Sequence, residues 1–73
     1  MIHIPATYAE GVYVLIQGDD VAQAREKAGL TQTGLAVLCG WAQSKQSRLE
    51  SPGEHRVDID TYKQLQAALN REG

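Results

Sequence analysis

Three breaks divide the middle of this chain: Gly29, Gly40 and the triplet Ser51-Pro52-Gly53. Glycine ends a helix because, without a Cβ, it enters the left-handed region at little steric cost. Proline ends one because it has no N–H to give. The stretches between these breaks are short and carry helical spacing. The middle of the chain therefore reads as short helices joined by tight turns. With 73 residues there is room for one small domain. A domain of that size buries only about 60% of the surface its unfolded chain exposes, so its core is small. An apolar content of 42% suffices for that core and is too high for a disordered tail.

Residues 1–17 follow a different pattern. Ile2, His3 and Ile4 lead into Pro5, and a turn-like stretch runs from Ala6 to Gly11. Val12-Tyr13-Val14-Leu15-Ile16 is uncharged, β-branched and aromatic, which favours a strand. Pro5 restricts the first segment to an edge or a strand end. Residues 2–4 and 12–17 are read as a small antiparallel ribbon. Such a ribbon is marginal alone, so it is expected to pack on helices or to pair with another subunit.

Gly18-Asp19-Asp20 is read as a turn and N-cap, opening a helix at Val21 with Val21, Ala24 and Ala28 inward. Thr31 caps a second helix, Gln32 to Cys39, and Gly40 ends it. A third runs from Gln43 to Glu50. Glu54 to Val57 reads as a polar loop. Asp58 caps a fourth helix, Ile59 to Asn70, with Ile59, Tyr62, Leu65, Ala68 and Leu69 on its apolar stripe. The expected fold class is mainly α: a compact four-helix domain over residues 19–73, preceded by the β-ribbon at 1–18.

Composition excludes several functions. Lone Cys39 cannot form an internal disulfide. One Cys and two distant His cannot close a zinc site, so no metal or cofactor is expected. No apolar run approaches the roughly 18 residues of a membrane span. The start of the chain lacks the basic and apolar regions of a signal peptide, so a cytoplasmic protein is expected. No nucleophile, base and acid fall into a catalytic set, so an enzyme is not expected.

The region from Arg25 to Ser51 has a geometry of its own. Two short helices meet at Cys39-Gly40-Trp41-Ala42. Leu35, Ala36, Cys39, Trp41 and Leu49 face inward, and small Ala36 permits close helix approach. Cys39 reads as a small buried hydrophobe and Trp41 as core. One helix braces while the other presents Gln43, Ser44, Lys45, Ser47 and Arg48. None of these is acidic. Gln pairs with adenine, Arg or Lys with guanine, and Ser with base or phosphate. A solvated helix face is the plainer reading, but the turn geometry favours a DNA-reading helix.

These stretches resemble the Cro/CI (lambda-repressor-like, XRE-type) helix-turn-helix family. The resemblance is carried by Arg25-Glu26-Lys27-Ala28-Gly29-Leu30-Thr31-Gln32, Leu35-Ala36, Gly40, Gln43-Ser44 and Ser47-Arg48-Leu49-Glu50-Ser51. The closing segment, from Asp58 to Asn70, matches as well. It implies that Gln32, with Thr33 beside it, holds a phosphate and that Gln32 braces Gln43. It implies that Gln43 and Ser44 read base edges, with Lys45, Ser47 and Arg48 farther along the groove. His55 and Arg56 would clamp phosphate. The implied partner is double-stranded DNA, bound by a homodimer with recognition helices roughly 34 Å apart.

The chain departs from the family pattern at four places, one of them the loop from Ser51 to Asp58, which is about one residue longer than is common. Gln46 stands where an aliphatic residue is usual, so it is either hydrogen-bonded or the third helix is rotated. Val37 and Leu38 stand where polar residues are usual, which suggests cover by the ribbon or a second subunit. The sequence stops after the fourth helix, where many relatives carry a fifth that dimerises. Val12, Val14, Ile16, Val37 and Leu38 are therefore the expected interface. The alternative function is an antitoxin-like or other protein-interaction module on the same fold, with a protein partner. Charge supports the DNA reading locally: the net −2 divides into −3 over residues 1–20, +2 over 21–56 and −1 over 57–73.

Overall fold

The computed structural model describes residues 1–71; residues 72 and 73, which end the expected helix-turn-helix segment, lie outside that range. Strand β1 is Ala6–Tyr8 and β2 is Tyr13–Gln17. They pair antiparallel with Ala6 opposite Ile16 and Tyr8 opposite Val14. A third strand, β3 at Glu54–Asp58, pairs antiparallel with the other side of β2. The sheet order is β1-β2-β3. Alternation on β2 turns Val14 and Ile16 into the core and leaves Tyr13 and Gln17 outside. Val57 on β3 lies opposite Val14 and is buried with it.

Two expectations are corrected here. Residues 2–4 are not a strand; the first strand is Ala6–Tyr8, within the stretch read as a turn. Residues 54–57 are not a loop, because β2 offers them a free edge and Val57 anchors them in the core. Strands account for 18% of the chain, so the fold is four helices plus a small antiparallel sheet rather than helices plus a two-stranded ribbon.

The segment 2–4 is held by side chains of a helix instead. The final helix, α4, covers Ile59–Leu69. Tyr62, Gln66 and the following Asn70 stand one turn apart and satisfy the backbone of Ile2 and Ile4 as a neighbouring strand would. Ile4 N–H donates to Gln66 Oε1 at 2.6 Å, and Gln66 Nε2 donates to the Ile2 carbonyl at 3.1 Å. The Tyr62 hydroxyl donates to the Ile4 carbonyl at 2.8 Å. Ile4 itself is fully buried, and Ile2 packs against the same core.

The other helices are α1 at Gly18–Lys27, α2 at Gln32–Cys39 and α3 at Gln43–Leu49. α1 starts at Gly18 rather than Val21, so Asp19 and Asp20 lie within its first turn, near the positive end of its dipole. β2 runs into it without a linker. The Gly18 N–H donates to the Gly53 carbonyl at 2.9 Å, and a Cβ at Gly18 would stand 1.7 Å from the Ser51 carbonyl oxygen. Only glycine allows the start of α1 to lie this close to the end of α3. Thr31 caps α2, its hydroxyl accepting from the Gly34 N–H at 2.9 Å. Asp58 is the N-cap of α4, and its carboxylate accepts from the Thr61 hydroxyl at 2.5 Å. One core, including Ile4, Val14, Ile16, Val21, Leu35, Leu49 and Leu65, joins sheet and helices.

Candidate nucleic-acid interface

The turn between α2 and α3 is built on Gly40, at φ 81°. Both the Gly40 and the Trp41 N–H donate back to the Ala36 carbonyl, at 2.9 and 3.1 Å. This closes α2 in a left-handed cap and reverses the chain within two residues. Ala36 and Cys39 are buried on the inner side of α2, and Leu49 holds α3 against the core.

α3 presents Gln43, Ser44, Ser47 and Arg48 to solvent. It contains no acid, and Glu50, which follows it, is buried. The Glu50 carboxylate accepts from Arg25 Nε at 2.9 and 3.0 Å, from Gln46 Nε2 at 2.8 Å and from Gln32 Nε2 at 3.2 Å. Arg25 also donates to the Leu30 carbonyl at 2.9 Å, so it ties the α1–α2 connection to the end of α3. Burial pushes the Glu50 carboxyl up, but hydrogen bonds from Arg25, Gln46 and Gln32 and the Arg25 charge outweigh it and hold it below its ordinary value.

The structure brings Gln32 and Gln43 together. Gln43 Nε2 donates to Gln32 Oε1 at 2.7 Å. Thr33 is exposed beside Gln32. Lys45 is half-buried, its ammonium 4.3 Å from the centre of the Trp41 ring. That is a cation–π contact, which fixes where the charge sits.

His55 and Arg56 stand on β3, not in a loop. His55 Nε2 donates to the Ser51 carbonyl, an acceptor only, at 2.8 Å. The Arg56 guanidinium lies 4.9 Å over the Tyr13 ring. Ser51, whose hydroxyl donates to the Arg48 carbonyl at 2.7 Å, links His55 to the end of α3. Of the expected interface residues, Val14 and Ile16 are buried in the chain's own core, so they offer no surface to a partner. Leu38 packs against that core. Val37 and Val12 stay exposed, at 72% and 62%; the sheet does not cover Val37.

Gln46 is hydrogen-bonded rather than rotated outward. Its Oε1 accepts from Trp41 Nε1 at 3.0 Å while its Nε2 serves Glu50. The support that Arg25, Trp41 and Glu50 give this surface was not read from the sequence. A signal was present, because a Trp N–H and a buried Gln each require a partner. Among the described residues, no buried side-chain nitrogen or oxygen lacks one. Also among them, no group of three or more His, Cys, Asp or Glu could hold a metal. No helix there is long and apolar enough to cross a membrane.

Two short helices on a tight glycine turn, the second showing an acid-free polar face, define a helix-turn-helix domain. A family model described as a helix-turn-helix domain matches residues 18–73, and the chain belongs to that family, of the XRE/Cro-CI type. Its membership points to a DNA-binding regulator. No curated protein and no solved structure matches the chain.

Proposed function

We propose that this chain is a sequence-specific transcriptional regulator of phage or bacterial type. It represses by occupying a pseudo-palindromic operator as a homodimer, with α3 in the major groove, and it works in the cytoplasm by binding rather than catalysis. The observation that carries this reading is the Gln43–Gln32 pair beside the acid-free face of α3. One N–H of the Gln43 carboxamide is taken by Gln32. A second N–H and the oxygen are left, and together they match adenine N7 and N6. Ser44, Lys45, Ser47 and Arg48 extend the readout along the groove.

Selection of bound sites from random DNA at one salt concentration tests it. The expected result is a palindrome with half-sites about one helical turn apart. Gln43→Ala with Ser44→Ala should abolish operator binding and keep the fold. Equally weak binding to every DNA, lost at moderate salt, would sink the reading.

A second reading, an antitoxin-like protein-interaction module, is favoured by exposed Val37 on α2 and by the fully exposed edge strand β1. Val37→Glu should then change the oligomeric state or the partner bound. Unchanged light scattering would remove Val37 from an interface between copies of this chain, and unchanged partner capture from one with another protein.

A further inference from the structure

Gln46 sits on α3 but is fully buried, so no base can touch it. Each end of its amide meets a partner of fixed polarity. The Trp41 indole N–H can only donate, and it meets Oε1 at 3.0 Å. The Glu50 carboxylate, paired with Arg25, can only accept, and it takes Nε2 at 2.8 Å. The amide therefore has one orientation. Turned over, it would set donor against donor and acceptor against acceptor.

That polarity runs outward to the surface in both directions. Glu50 Oε1 accepts from Gln32 Nε2, which leaves Gln32 Oε1 to accept from Gln43. At the other end, the Trp41 ring is the platform under the Lys45 ammonium. Gln46 stands between the two supports of the exposed face.

We propose that Gln46 is a positioning residue for sequence recognition: by joining Trp41 to Glu50 it sets how Gln43 and Lys45 are presented to the bases. This rests on the reading of α3 as the base-reading helix. A role confined to stability would leave base preference untouched, and a positioning role changes it.

The test uses the full chain with Gln46→Met, which keeps an unbranched side chain of similar length and removes both hydrogen bonds. In the free protein, the Gln43 carboxamide resonances should shift and the Trp41 indole N–H should exchange faster, with circular dichroism unchanged. In site selection from random DNA at fixed salt, discrimination at the bases under Gln43 and Lys45 should fall roughly tenfold. Non-specific affinity and its salt slope should stay as they are, because no phosphate contact is removed. Trp41→Phe cuts the same link from its other side and should change preference under Lys45; it serves if Gln46→Met does not fold. Wild-type resonances at Gln43 together with wild-type base preference would overturn the proposal. A parent protein that selects no sequence would defeat the reading of α3 instead, and the resonances alone would then decide the role of Gln46.

Discussion

Asn70 and Ile2 form a two-way pair: the Ile2 N–H donates to Asn70 Oδ1 at 2.6 Å, and Asn70 Nδ2 donates to the Ile2 carbonyl at 2.7 Å. One turn earlier, Gln66 accepts from the Ile4 N–H and donates to the Ile2 carbonyl. Asn70→Ala should destabilise the protein by about 1–2 kcal/mol. Gln66→Ala should cost more, because Ile4 is fully buried and its N–H would be left without a partner. Urea denaturation followed by circular dichroism measures both. No loss in either variant would mean that the pairing contributes nothing.

Gly18→Ala is the change the backbone tolerates least. The added methyl would overlap the Ser51 carbonyl, which is backbone and cannot swing aside. A loss of at least about 2 kcal/mol is expected, with the α1–α3 contact as the part that shifts. Thermal unfolding of the variant at the parent's midpoint would contradict this.

Stability should fall in acid partly through Glu50. Its carboxyl is held below the ordinary value in the folded chain. The stabilisation is therefore complete above the unfolded carboxylate value of about 4.3 and is lost as pH drops through the lower folded value. Glu50→Gln should be less stable at neutral pH and should flatten the acid side of the profile. Parallel profiles for the two proteins would exclude Glu50 as a source.

Cys39 should be unreactive while the protein is folded. Burial pushes its thiol up, against the weaker pull of the Arg71 and Lys45 charges. Its Sγ lies 3.9 Å from the Gln64 carbonyl. Alkylation by iodoacetamide at neutral pH should be slow in the native protein and complete in denaturant. Rapid native labelling would show that α2 opens often.

The helices were legible because their signals are local. Thr31 and Gly40 mark the ends of α2 by their own chemistry, and the structure uses both. The strands were not, because their partners are remote. Ile2-His3-Ile4 alternates like a strand, yet its hydrogen bonds go to the side chains of Tyr62 and Gln66 on α4 and of Asn70 at its C-cap. Glu54-His55-Arg56 reads as loop because of its charges, and becomes a strand only because β2 has an open edge. In the candidate interface, the exposed side chains follow from helical spacing. The network beneath them does not, since it joins residues from α1, α2, α3 and the turn.

The pair between residues 2 and 70 also bears on the order of assembly. It closes a loop of almost the entire described chain, and loop-closure entropy opposes such a contact until the intervening elements are in place. The segment before β1 is thus expected to dock last and leave first. Loosening it would then speed unfolding far more than it slows folding, so this clasp governs how long the native state lasts rather than how fast it is reached.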